Sequence, residues 1–154
     1  MIKLFAMDVD GTLTDGKIHI SDDGELFKSF NVKDGMGIKL LIENDIIPAI
    51  ITGRKSKIVL NRAKELGITH VYQDIKNKKE FMINLSKDLN ISLDEVAYIG
   101  DDINDLEVLE CVKYSYAPSD SSIKVLDTVK YVCALKGGDG AVREAIDNIL
   151  DLNR

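Results

Sequence analysis

The sequence predicts an α/β fold in which helices flank a mostly parallel sheet. Short β-branched or apolar runs alternate with amphipathic stretches from one end of the chain to the other, the order that parallel strands joined by helical crossovers require. The 154 residues, 45% hydrophobic and 30% charged, are enough for one domain whose core buries about two-thirds of the unfolded surface. No repeat, low-complexity tract or Pro/Gly/Ser-rich linker divides them, so residues 1–154 are read as a single domain.

Strands are expected near residues 2–8, 47–52, 70–73, 96–100, 114–117 and 130–133, each a short apolar run bounded by polar or turn-forming residues. Helices are expected near 35–44, 56–66, 77–89, 103–111, 120–127 and 139–151, where Leu, Ile, Val and Ala recur at spacings of three and four. One segment departs from the alternation. Residues 17–20 and 26–30 read as the arms of a β-hairpin around Ser21-Asp22-Asp23-Gly24, a cluster of turn formers. It follows the first strand directly, where simple alternation would put a helix.

Twenty basic residues against 26 acidic ones leave a net charge of −6, which argues against a surface built to neutralise nucleic-acid phosphates. A small anionic substrate remains compatible, because a divalent cation held by clustered carboxylates reverses the local sign. The strongest apolar stretch, Ile46 to Ile51, contains Pro48 and is too short to span a bilayer. Acidic residues come early in the chain, unlike a secretory leader. Cys111 and Cys133 lack metal-binding or redox spacing and are read as small core residues, and His19 and His70 as partly buried structural histidines. A cytoplasmic protein with neither nucleic-acid nor membrane partner is expected.

The chemistry sits at strand ends, where open α/β sheets bind ligands. The first strand runs into Asp8-Val9-Asp10-Gly11-Thr12. Two like charges about 4 Å apart repel by roughly 4 kcal/mol at an effective dielectric near 20, so such a pair needs a cation, a proton or separation. A second apolar strand runs into Gly100-Asp101-Asp102-Ile103-Asn104-Asp105. If these strands are neighbours, Asp8 and Asp101 can hold one Mg²⁺, a hard ion that takes carboxylates, carbonyls and waters. Helix capping alone would explain either Asp101 or Asp102. Thr52-Gly53-Arg54 ends a third buried strand, and Lys78 opens a helix after the next. A hydroxyl and a fixed ammonium are the donors that a transferring phosphoryl group needs.

In this order, the acid pair, threonine, lysine and second acid cluster resemble the four motifs of the haloacid dehalogenase (HAD) superfamily of phosphotransferases. The resemblance implies a Rossmann-like, HAD-like core with Mg²⁺ as cofactor. Asp8 would be the nucleophile that forms an aspartyl phosphate, and Asp10 the general acid and then the general base. Asp101 and the Asp10 carbonyl would join Asp8 on the metal. Thr52 and Lys78 would bind the phosphoryl oxygens, Asp105 would orient the lysine or a metal-bound water, and Asp102 would play a supporting part.

No room exists for the cap domain most superfamily members insert, since only the hairpin and one helix separate Asp15 from Thr52. The stretches GELFKSFNVKDGMGIKLL (24–41), ITGRKS (51–56), LGITHVYQ (66–73), YIGDDINDLEVL (98–109) and GGDGAVREAI (137–146) resemble the capless 3-deoxy-D-manno-octulosonate 8-phosphate (KDO 8-phosphate) phosphatases. That family implies a keto-deoxy sugar acid phosphate as substrate, a part in lipopolysaccharide synthesis, and a homotetramer whose hairpin, residues 17–30, helps close a neighbouring subunit's site. Gly53, Arg54 and Asp34 would lie toward the substrate, with Arg54 suited to pair a carboxylate bidentately. Relatives acting on nonulosonate 9-phosphates (sialic acid or KDN type) are also similar, and some differ at the position of Arg54. A non-catalytic, phosphatase-like oligomerisation module and a receiver-type signalling domain are the other readings. The DxD spacing and Thr52 on the middle strand disfavour the receiver domain, and the full catalytic set disfavours the inert module.

Overall fold

A computed structural model describes residues 1–154. Its elements run β1 (Leu4–Met7), β2 (His19–Ser21), β3 (Gly24–Phe27), α1 (Val32–Glu43), β4 (Ile47–Ile51), α2 (Lys57–Leu66), β5 (His70–Tyr72), α3 (Lys78–Asp88), β6 (Val96–Ile99), α4 (Leu106–Cys111), β7 (Tyr114–Ala117), α5 (Ile123–Thr128), β8 (Tyr131–Val132) and α6 (Ala141–Leu152), with single 3₁₀ turns at Leu93–Glu95 and Ile103–Asp105.

Six strands pair in the order β5-β4-β1-β6-β7-β8, every pairing parallel. LFAM of β1 and VAYI of β6 are buried along their whole lengths, as strands covered on both faces must be. One core cluster joins Phe5, Met7, Ile50 and Ile99 to α1, α2 and α6, and a second joins Leu4, Ala6, Ile51 and Tyr98 to α3, α4 and α5. The central strand β1 has β4 on one side and β6 on the other. The ends of all three strands therefore meet at the point where the direction of winding reverses, the usual ligand crevice of such sheets.

The expected elements are present with shifted edges. Helix α1 begins at Val32 rather than 35, because the Asn31 side chain caps it by accepting from the Lys33 amide at 2.8 Å. The helix expected over 103–111 opens as a 3₁₀ turn, since the Asp105 carboxylate folds back onto the amides of Asp101 and Asp102. Helix α5 starts at Ile123 rather than 120, after a Pro118–Ser121 turn closed by the Ser121 hydroxyl donating to the Pro118 carbonyl. The hairpin arms are shorter than 17–20 and 26–30: Asp22-Asp23 make the turn, and Gly24 takes the left-handed φ of +116° that it needs. The hairpin forms its own two-stranded sheet outside the main one.

Candidate active site

The loop after β1 is anchored by the Asp8 amide donating to the Ile99 carbonyl of β6 at 3.1 Å. Gly11 sits at φ +88°, and a Cβ there would overlap the Asp101 carboxylate, so only glycine lets the two acidic loops close together. Thr12 Oγ1 donates to Asp101 Oδ1 at 3.2 Å across that junction. Gly137 packs backbone to backbone against Gly11 with no space for a side chain, and the Gly138 amide donates to the Thr12 carbonyl. The loop before α6 is thus a buttress for the first acidic loop as well as a helix start.

Asp8, Asp101 and Asp105 each offer a carboxylate oxygen, all within 4.8 Å of one another. One cation faces them. Lys78 Nζ donates to Asp8 Oδ1 at 3.0 Å and to Asp105 Oδ1 at 2.8 Å, with its side chain only 2% exposed. A lysine in the first turn of α3 opposes the helix dipole, and its pairing with two buried carboxylates offsets that cost. Burial disfavours its charge, but Asp8 and Asp105 outweigh burial and hold the lysine pKa above its ordinary value.

The carboxylates respond in the opposite sense. Burial, reinforced by the Asp105 and Asp101 charges, pushes Asp8 well above the carboxylate range despite Lys78. Burial and the Asp105 charge raise Asp101 to about 6, although hydrogen bonds from Asp8 and Thr12 pull the other way. Charges crowded in this way fit a divalent cation, which relieves the repulsion without a proton. The acceptors available to an ion differ sharply. Asp105 accepts from Lys78 and the Tyr98 hydroxyl (2.8 Å) through Oδ1 and from the Asp101 and Asp102 amides through Oδ2, so its lone pairs are spent. Asp8 Oδ2 and Asp101 Oδ2 accept from no donor outside their own pair, and no backbone amide reaches the Asp10 carbonyl.

Thr52 follows β4 and is 3% exposed. Its amide and carbonyl are tied to Tyr72 and Ile75, and its Oγ1 accepts from the Arg54 amide at 3.4 Å, which leaves the hydroxyl proton free to donate. Gly53 lies in the same turn, facing the Ile75 carbonyl. Arg54 is exposed, with Nε 3.8 Å from Asp10 Oδ2.

Asp102 and Asp34 stand apart. Asp102 is exposed, and its Oδ1 caps the 3₁₀ turn by accepting from the Ile103 amide at 2.7 Å. Asp34 is buried between α1 and α6, where Oδ1 accepts from the Arg143 amide at 2.9 Å and Oδ2 has no partner. Burial lifts its pKa to about 6, against the pull of the Arg143 amide and the Arg62 charge. It belongs to the packing of these helices rather than to the carboxylate cluster.

Sequence reasoning missed Thr12, Tyr98, Glu25 and Lys28. Lys28, just after β3, places Nζ 2.6 Å from Asp10 Oδ1 and 3.0 Å from Glu25 Oε1 with a side chain 3% exposed. The Ser56 hydroxyl donates to Glu25 Oε2 at 2.6 Å. Burial would raise Glu25, but hydrogen bonds from Ser56 and Lys28 hold it below its ordinary value. A lysine and a glutamate three apart after a turn read as solvated hairpin charges, and only the fold turns both inward.

Comparison with known proteins agrees with this geometry. The sequence profile of the haloacid dehalogenase-like hydrolases matches residues 67–146. The 3-deoxy-D-manno-octulosonate 8-phosphate phosphatase KdsC of Escherichia coli K12 is 46% identical over 149 residues, 97% of this chain and 79% of that protein. The crystal structure of the Yersinia pestis 3-deoxy-D-manno-octulosonate 8-phosphate phosphatase superposes with a TM-score of 0.94 at 46% identity, covering 97% of this chain and 80% of that one. The Moraxella catarrhalis phosphatase, solved with magnesium, phosphate and KDO, does so with a TM-score of 0.94 at 43% identity, covering 97% and 86%. No helix of this chain is long and apolar enough to cross a membrane. With its acid pairs at neighbouring strand ends and this likeness spanning nearly its whole length, the chain belongs to the haloacid dehalogenase-like hydrolases, among the 3-deoxy-D-manno-octulosonate 8-phosphate phosphatases.

Proposed function

We propose that this chain is a Mg²⁺-dependent phosphatase that hydrolyses 3-deoxy-D-manno-octulosonate 8-phosphate through an aspartyl phosphate on Asp8. The observation that carries the reading is the placement of Thr52, Asp8 and Asp101 at the ends of three adjacent strands, with Lys78 at the start of α3 bonded to Asp8. Bound by Asp8, Asp101 and the Asp10 carbonyl, Mg²⁺ supplies charge neutralisation for the phosphoryl oxygens.

An Asp8 carboxylate oxygen attacks phosphorus, forming the acyl phosphate as the bond to the sugar oxygen breaks. Asp10 gives that oxygen its proton. Asp10 then takes a proton from a water that attacks the acyl phosphate, releasing phosphate and restoring Asp8. Two of the three ammonium protons of Lys78 are committed to Asp8 and Asp105, and the third is available to a phosphoryl oxygen. The Thr52 hydroxyl donates to another. Asp105, fully buried and saturated with donors, orients Lys78. Arg54, exposed beside Asp10, suits the carboxylate of a sugar acid, with Gly53 in the same turn.

The single domain has no cap, and water must be excluded from the site by other means. Ile18, Ile20, Leu26 and Phe27 of the hairpin are exposed, and this apolar surface supports burial against other copies in a homotetramer. A cytoplasmic location follows from the small sugar phosphate substrate. The test is phosphate release with Mg²⁺ and with EDTA, comparing KDO 8-phosphate with a nonulosonate 9-phosphate. Mg²⁺-dependent preference for the first is expected. Preference for the second reassigns the substrate, and release from neither overturns the reading.

A further inference from the structure

The hairpin touches the chemistry of its own chain. Most of its residues are exposed, and a lysine there normally extends its ammonium into water. Lys28 does the reverse, burying its side chain and placing Nζ 2.6 Å from Asp10 Oδ1 and 3.0 Å from Glu25 Oε1. Withdrawing an ammonium from water is costly unless its partners are well placed, so this pairing fixes the positions of all three groups.

Glu25 is held in turn. Its other oxygen accepts from the Ser56 hydroxyl at 2.6 Å, and Ser56 caps α2 by accepting from the Val59 amide at 3.2 Å. The Ser56 amide and carbonyl are both tied to the Gln73 side chain after β5, at 3.4 and 3.0 Å. An unbroken chain of polar contacts thus runs from the sheet through Ser56, Glu25 and Lys28 to one oxygen of Asp10. The other oxygen, Oδ2, has only the exposed Arg54 at 3.8 Å.

We propose that Lys28, set by Glu25, is a positioning residue for Asp10, and that the hairpin serves the site of its own subunit. Lys28 grips Oδ1 and leaves Oδ2 as the oxygen that exchanges the proton with the leaving group and with water. The inference rests on the reading of Asp10 as the proton carrier. It adds an inward-facing role for a hairpin whose exposed apolar side chains are proposed to meet other copies.

The test uses the full chain with KDO 8-phosphate and Mg²⁺, comparing wild type with Lys28→Met, Lys28→Arg, Glu25→Gln and Asp10→Asn. Misplacing a catalytic group by about 1 Å can cost about 10²-fold. Lys28→Met is expected to lower kcat by about 10- to 100-fold, with KM within about 3-fold and the mass by light scattering unchanged. Lys28→Arg should recover part of the loss, and Glu25→Gln should show a smaller fall in kcat. If Lys28→Met does not fold, Lys28→Arg and Glu25→Gln carry the test, with the same split between kcat and KM. An unchanged kcat, a rise in KM alone, or a loss that tracks a change of mass would overturn the proposal. So would recovery of activity when Lys28→Met and Asp8→Asn chains are co-expressed, which would put the hairpin in a neighbour's site. Full activity in Asp10→Asn would instead overturn the reading of Asp10, whereas an inactive Asp10→Asn beside a fully active Lys28→Met would overturn this inference alone.

Discussion

Two lysines stand in the same local arrangement and differ in what holds them. Lys78 lies between Asp8 and Asp105, and Lys28 between Asp10 and Glu25, each with contacts of 3.0 Å or less and almost no exposed side chain. Lys78 opens a helix packed on the sheet, and its partners are rooted at the ends of buried strands. Lys28 follows a two-stranded ribbon that shares no strand pairing with that sheet. The same ion-pair geometry therefore does different work. The groups around Lys78, the floor of the site, are held by the core whether or not their salt bridges are made, and the Lys28 hairpin, its roof, is held chiefly by the salt bridges themselves.

The comparison breaks most sharply at the floor. Asp8→Asn should abolish turnover, since an amide cannot form the acyl phosphate, and near-normal steady-state rates in purified protein would refute the assignment. Lys78→Ala should lower kcat by about 10² or more, as loss of a preorganised donor does. It also strands two buried carboxylates, so denaturant titration should reveal destabilisation of about 3–5 kcal/mol. Lys28→Met should leave the denaturation midpoint far closer to wild type. Equal losses of stability at the two lysines would erase the distinction.

Metal content sharpens the same contrast. Asp101→Asn should inactivate the enzyme and yet raise the thermal midpoint of EDTA-treated protein by a few degrees, because it removes one of three crowded carboxylates. Adding Mg²⁺ should raise the wild-type midpoint and leave that of Asp101→Asn nearly unmoved, which thermal scans with and without Mg²⁺ would check.

The smallest effect lies at Asp34. Its pKa in the fold, about 6, exceeds the ordinary 3.8, so folding favours the protonated form. Its contribution to stability is complete below about pH 4 and is lost as pH rises through about 6. Asp34→Asn should therefore be more stable than wild type at pH 8, by about 1–3 kcal/mol at most, with the gain vanishing near pH 4. Denaturation curves at both pH values measure it, and a gain that is equal at both would contradict the buried-carboxylate explanation.

Local pattern revealed the floor and concealed the roof. Buried parallel strands are continuous apolar runs, so the residue that ends each one announces itself: Asp8, Thr52 and Asp101 are all read from the end of such a run. Lys78 stands out only in the order of the four motifs, since taken singly it reads as a surface lysine. Asp105 was legible as a member of the second acid cluster, although its saturation by four donors was not. The hairpin has no such frame, because a ribbon outside the sheet gives no register that says which charges turn inward. Glu25 and Lys28 therefore read as surface residues. Asp34 is read toward the substrate from a motif match, and the tie of one of its carboxylate oxygens to the amide of Arg143, distant in sequence, is not visible locally. The backbone-on-backbone contact of Gly137 with Gly11 leaves no trace in either segment alone.

The central claim is covalent chemistry at Asp8, and a trapping measurement tests it most directly. Wild-type protein turning over KDO 8-phosphate with Mg²⁺ is quenched in acid, reduced with borohydride and mapped by peptide mass spectrometry. Reduction of an aspartyl phosphate yields homoserine, and the account predicts homoserine at position 8 in the wild type and none in Asp8→Asn. Homoserine at another position, or none from protein shown to be turning over when quenched, would contradict it.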